Sequence, residues 1–155
     1  MSQWTHVNAQ IRLDSIEIIT GPIQRDLEEI VGPMYLPYAD KIDLEWPITD
    51  NESKVKLPTG SEGSLHIEIT KNPEESSTAS HVISIYGDLR AFDSYGEIEK
   101  WFKNLCEDLE DKEKCRAVGI RQAVCQVEVE FSNPRQIVLI YDKDIADIIK
   151  FNVNA

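Results

Sequence analysis

The stretch from Leu57 to Phe102 constrains the fold more than any other part of the chain. It begins with a glycine-containing turn and continues as an alternating segment, a polar turn and an almost continuously apolar segment, Val82–Tyr86. It ends in a stretch with helical spacing that carries Trp101. An apolar spacing of two residues indicates strands, and a spacing of three and four indicates a helix. This stretch therefore predicts an α+β topology, and it contains no recognisable catalytic set.

The rest of the chain completes the pattern of elements. Apolar spacing predicts strands at 5–14, 120–131 and 136–141, and short helices at Pro22–Val31 and Asp142–Phe151. The resulting order is strand, helix, strand, strand, helix, strand, with an extra strand after it. That order is typical of the ferredoxin-like, or split βαβ, arrangement.

We therefore expect a single domain, 1–155, built as an α+β two-layer sandwich, with residues 142–155 as a C-terminal tail. Both helices pack on one face of an antiparallel sheet that has an additional C-terminal strand. The other face is open and polar, without Phe or Tyr. The residues predicted on this open face are His6, Asn8, Gln10, Arg12, His66, Glu68, Gln122, Gln126, Glu128 and Glu130.

Residues 33–63 break this regular pattern, because four prolines interrupt a segment rich in aromatic and aliphatic side chains. We expect a long ordered Pro-rich loop. It either covers an edge of the core or carries a binding site, as long loops often do. Tyr38 and Trp46 are its candidates for stacking on a ligand.

The net charge is −12, from 28 acidic and 16 basic residues. Such a surface repels nucleic-acid backbones and anionic membranes, so neither is an expected partner. No apolar run approaches the roughly 18–20 residues of a membrane span. The N-terminal residues lack the features of a signal peptide, which predicts a cytoplasmic protein.

The three cysteines, Cys106, Cys115 and Cys125, are odd in number and form no CxxC pair. A disulfide framework and a zinc site are therefore not expected, and the thiols are predicted to be buried. We expect no metal and no cofactor.

The three histidines, His6, His66 and His81, fit neither a helical zinc motif nor the triplets of two-histidine phosphoesterases. No nucleophile elbow or phosphate-binding loop is present. The sequence thus predicts no catalytic residue and a protein that is not an enzyme. The open face lacks the aromatic side chains on which RNA bases stack, which argues against RNA binding.

Strand-borne arginines and the glycine turn are the candidates for binding a small anion. Two of them have a structural alternative: Arg90 could form a salt bridge to a neighbour such as Asp88 or Asp93, and the glycines could form only a tight turn. The candidate ligand-binding residues are Arg12, Arg90, Arg121, Gly60, Ser61 and Gly63, together with Trp46 and Tyr38.

Several blocks carry a family resemblance: Trp4–Val7 with Ile11–Asp14, Leu57–Leu65, Ser84–Arg90 and Arg121–Val124. They resemble a group of small proteins of phages and prophages of Gram-positive bacteria, whose motifs have no assigned role. The resemblance spans most of the chain. It implies a viral accessory protein that acts in the host cytoplasm, where such proteins often disarm host defence.

Together these observations favour a non-enzymatic, homo-oligomeric phage protein that sequesters a cyclic or ADP-ribose-type nucleotide signal. Two alternatives stay open. One is an acidic decoy that imitates DNA and binds a basic host defence protein, as the charge permits. The other is a small phosphoesterase, which would need His6 and His66 close together.

Overall fold

The structure is a computed structural model that describes residues 3–15, 21, 23–31, 65–71, 81–90 and 95–153. The predicted loop at 33–63 lies outside these residues. The elements are, in chain order, β1 (Trp4–Asp14), α1 (Gln24–Val31), β2 (Leu65–Lys71), β3 (His81–Arg90), α2 (Tyr95–Glu110), β4 (Gly119–Val129), β5 (Gln136–Asp142) and β6 (Asp147–Val153).

The six strands form one antiparallel sheet in the order β2-β3-β1-β4-β5-β6. β1 lies inside the sheet and pairs along nearly its whole length with β3 on one side and β4 on the other. α2 contacts β4, β5, β6 and α1, which places both helices on the same side of the sheet. The predicted α+β architecture, with helices against one face of an antiparallel sheet, is confirmed.

Alternation along β1 separates the core from the open face. Val7, Ala9, Ile11 and Leu13 are buried, whereas the residues between them are half-buried or exposed. From the helical side, α2 contributes fully buried side chains such as Phe102. Burying one large apolar side chain stabilises the folded state by about 1.5–3 kcal/mol, so this shared layer fixes which face of every strand points inward.

The C-terminal segment corrects one prediction. Residues 142–151 do not form a helix: β5 and β6 form a hairpin around residues 143–146, so two strands rather than one extend the predicted four. Ile148 and Ile149 are β-branched and suit a strand. The free edge of β5 also offers main-chain partners along all seven residues of β6, and a short isolated helix would leave that edge unpaired.

In the hairpin between β4 and β5, Phe131 has a backbone conformation that is unfavourable for a residue with a side chain. Phe131 has φ of 63°, in the left-handed region, and its side chain is 73% exposed. An L-residue with a side chain costs about 1–2 kcal/mol in this region relative to the right-handed one. Glycine has no such penalty.

Phe131→Gly should therefore raise the free energy of unfolding by about 1 kcal/mol, because it relieves the backbone and loses little buried surface. Val118→Gly is the matched control: Val118 is also exposed, at 51%, and is absent from the positive-φ residues. That control should lower stability. Urea unfolding of the two variants and the parent measures both effects, and equal destabilisation by the two substitutions would contradict the assignment of strain.

Candidate functional site

The strand registers place the open-face side chains in rows that run across the sheet. One row runs from Asp88 on β3 through His6 on β1 and Glu128 on β4 to Gln136 on β5. Cross-strand neighbours in an antiparallel sheet have Cβ atoms about 4.5–5.5 Å apart. A histidine thus stands between carboxylates contributed by the strands on either side of it.

His6 is the centre of this cluster. Its Nδ1 lies 2.5 Å from Oδ1 of Asp88, and its Nε2 lies 3.1 Å from Oε2 of Glu130. The other oxygen of Glu130 accepts a hydrogen bond from the backbone N–H of Trp4 at 3.2 Å. Both ring nitrogens are therefore engaged by carboxylates, and Glu130 is itself tied to the first residue of β1.

The loop that carries Glu130 is held by α2. The hydroxyl of Tyr95 lies 2.7 Å from the carbonyl oxygen of Pro134 and 2.8 Å from that of Arg135. The backbone N–H of Glu130 donates to the carbonyl of Trp4 at 3.0 Å. These bonds position the end of β4 against β1. They thereby also position the carboxylate of Glu130, the second partner of the His6 ring.

The charges around His6 favour its imidazolium form. The hydrogen bond with Asp88 raises the pKa of His6, burial opposes this, and Glu130 adds to the rise. Across the row, Nε of Arg135 donates to Glu128 at 2.8 Å and lowers the pKa of that carboxyl. The cluster therefore holds three carboxylates against two cationic groups, and it attracts positive charge.

A cleft of about 470 Å³ opens on this cluster. Its lining residues are His6, Val7, Asn8, Tyr86, Gly87, Asp88, Gln126, Glu128 and Gln136. The side-chain amides can donate and accept hydrogen bonds, and the carboxylates can accept them or hold a cation. The cleft therefore has the mixture of polar groups that fixes the orientation of a small polar ligand.

Tyr86 corrects the prediction that the open face carries no aromatic residue. It lies opposite Asn8 on the open face and is 43% exposed. Its ring centroid is 5.7 Å from that of His66, and its hydroxyl is 3.4 Å from a carboxylate oxygen of Glu68. The sequence placed Tyr86 in a continuously apolar strand, whereas the alternation of β3 directs it outward.

The structure does not bring the three predicted arginines together. Arg12 lies opposite Val82, whereas Arg90 lies opposite Trp4 at the other end of β1. Eight residues of strand separate these positions, about 26 Å at the usual rise. Nε of Arg121 donates to Oδ1 of Asp14 at 3.0 Å, so this arginine forms a salt bridge within the chain.

The remaining predicted ligand residues, Tyr38, Trp46, Gly60, Ser61 and Gly63, lie outside the described residues. His6 and His66 lie on β1 and β2, which β3 separates, as the predicted strand order requires. The structure therefore gives no support to the pair of histidines that a phosphoesterase would need.

All three cysteines are buried and unpaired. Burial raises the pKa of Cys125 to about 12 and raises that of Cys106 as well, so neither thiol is a nucleophile at neutral pH. Within the described ranges, no group of three or more acidic, histidine or cysteine side chains could hold a metal ion. In the same residues, no helix is long and apolar enough to cross a membrane.

Sequence reasoning missed the His6 cluster because its members are distant in the chain: Asp88 is 82 residues and Glu130 is 124 residues from His6. The sequence nevertheless contained part of the information needed to find this cluster. His6 and Glu130 both fall among the residues predicted for the open face. Pairing β1 with β3 at the correct register would have added Asp88 beside them.

No protein-family model matches the chain, and no curated protein matches it. Among solved structures, the chain is similar to a phage SAM lyase in complex with S-methyl-5′-thioadenosine, with 8% identity and a TM-score of 0.37. The similarity covers 97% of this chain and 90% of that one. On this comparison the prediction of a non-enzymatic protein is wrong, because the neighbour is an enzyme. A similarity at this level assigns no substrate to the chain.

The raised pKa of His6 makes a prediction about stability and pH. A group whose pKa is higher in the folded state stabilises that state below its unfolded pKa, here 6.5, and this stabilisation is lost as pH rises through the folded value. The melting temperature of the parent should therefore fall, relative to that of His6→Gln, as pH rises above about 6.5. If the difference in melting temperature between the parent and His6→Gln stays constant from pH 5.5 to 9, the assignment of an ion pair to His6 is contradicted.

Proposed function

We propose that the His6 cleft binds a small ligand that carries a positive charge and an aromatic base, and that His6 transfers a proton to or from it. The observation that carries this proposal is the position of His6, which lines the cleft together with Asp88 and is held between Asp88 and Glu130. A histidine whose one nitrogen is oriented by a carboxylate has its other nitrogen available for acid–base work.

The two carboxylates have different roles in this proposal. Asp88 makes the shorter contact, on Nδ1, and it stands directly opposite His6 in the strand register, so it orients the ring. Glu130 makes the longer contact, on Nε2. When a ligand displaces Glu130, Nε2 becomes the nitrogen that gives or takes the proton.

The negative charge of the cleft favours a different class of ligand from the nucleotide expected from the sequence. A cyclic or ADP-ribose-type nucleotide would bring phosphates next to Asp88 and Glu128, the two carboxylates that line the cleft, and like charges repel. A cationic nucleoside avoids this repulsion. Its base would stack on the exposed ring of Tyr86, and its hydroxyls would bond the amides and carboxylates around it.

We further propose that the first four strands and the two helices represent a ferredoxin-like, split βαβ core. The order β2-β3-β1-β4, antiparallel throughout, supports this assignment. The resemblance to small phage proteins supports a role in which the protein acts on a host metabolite or signal to disarm defence. The host cytoplasm is the proposed site of action.

S-adenosylmethionine is the compound to test first, since it combines a sulfonium cation with an adenine base. Calorimetric titration should detect binding to the parent protein. Tyr86→Ala should weaken it by about tenfold or more, because stacking on one base contributes about 1–3 kcal/mol. Glu128→Gln should weaken it by about fivefold, the effect of one exposed ion pair of about 1 kcal/mol.

Glu113→Gln is the matched control for Glu128→Gln, because it removes one negative charge at an exposed position in the turn that follows α2. It should leave binding unchanged. In the proposed step, neutral His6 takes a proton from the carbon β to the sulfonium, a C=C bond forms and the C–S bond breaks, so the electron pair stays on the sulfur of a neutral thioether nucleoside. Chromatography of that nucleoside reports the step. His6→Gln should lower its rate by about 100-fold or more while retaining ligand binding. The absence of both heat and product with the parent protein would rule out this substrate.

A further inference from the structure

β6 is the last strand of the sheet, and it exposes apolar side chains next to an open edge. No strand within the described ranges pairs with that edge. Ile149, Phe151 and Val153 are opposite Ile140, Val138 and Gln136, which places them on the open face, and they are 36%, 49% and 37% exposed. The open face thus changes from polar over β1 to apolar along its last strand.

The charges of β6 do not protect this edge. Edge strands commonly carry lysines, prolines or bulges that prevent pairing with another chain. β6 contains no proline, and its lysine, Lys150, lies with Nζ 3.6 Å from Glu99 on α2. Asp147, at the start of the strand, lies 3.2 Å from Lys103 on the same helix. Both charges are therefore partly neutralised within the chain.

The sequence of β6 is complementary to itself in the antiparallel direction. When two copies pair with Phe151 opposite Phe151, Ile149 meets Val153 and Lys150 meets Asn152. Apolar residues then face apolar ones on the open side, and no like charges are opposed. Shifting the register to centre the pair on Lys150 opposes two lysines, which is unfavourable.

From this pattern we propose that the protein is a homodimer in which two copies pair β6 against β6, with Phe151 at the two-fold axis. The two sheets become one continuous sheet. Val138, Phe151 and their counterparts in the second copy form an uninterrupted apolar row across the junction. We assign the edge to a second copy of the chain because β6 is complementary to itself: in the antiparallel pair, apolar residues meet apolar residues and no like charges are opposed.

The overall charge gives this dimer a recognisable salt dependence. Each copy carries a net charge of −12, so two copies repel one another, while the pairing strands themselves add no unpaired acid. Added salt screens the repulsion between the copies and leaves apolar contacts intact. Dimerisation should therefore strengthen with salt, which is the opposite of an association based on opposite charges.

Sedimentation velocity over a concentration series tests the proposal. The parent protein should show a dimer, and Phe151→Lys should raise the dissociation constant by about tenfold or more, because it places two lysines in contact at the axis. Val118→Lys introduces the same charge at an exposed apolar residue in the bend that precedes β4, and it should dimerise as the parent does. Circular dichroism establishes that both variants are folded.

A cross-linking variant gives an independent readout. Phe151→Cys should form a disulfide-linked dimer under mild oxidation, since the native thiols are buried. A parent protein that is monomeric at 100 micromolar, or a dimer that Phe151→Lys does not weaken, would overturn the proposal. His6→Gln should dimerise normally, so this result is separate from the outcome at the cleft.

Discussion

The structure depends on β1, which is paired on both sides and is apolar on one face only. That face is buried in the core through Val7, Ala9, Ile11 and Leu13. The register of β3 and β4 against β1 then decides which of their side chains point into the core and which lie on the open face. A slip of one residue would turn the whole apolar set outward. The same constraint that builds the core therefore places His6, Asn8 and Gln10 on the open face.

The candidate site is a consequence of this register. His6 is opposite Asp88 on one side and Glu128 on the other because β1 separates β3 from β4. The helical layer contributes indirectly, since Tyr95 on α2 holds the loop that brings Glu130 to the second ring nitrogen. β1 and β3 carry His6 and Asp88, which favours a fixed geometry for this pair over one assembled on a mobile loop.

Local spacing was enough to predict β1 to β5, the two described helices and the face on which His6 lies. It failed at Asp142–Phe151, where the choice between helix and strand depended on an unpaired edge elsewhere in the chain. It also failed at Tyr86, because β3 is apolar enough to suggest burial on both faces. The His6 cluster required the pairing of residues 82 and 124 positions apart, which no local pattern encodes.

The proposed ligand site requires His6 to be an imidazolium held between two carboxylates. The decisive measurement follows its ring resonances by NMR during a pH titration, with and without S-adenosylmethionine. We expect the pKa of His6 to lie above the ordinary 6.5 and to be lower in Asp88→Asn, and we expect a selective change at the His6 resonances when S-adenosylmethionine is added. A pKa at or below 6.5 that Asp88→Asn leaves unchanged would contradict it.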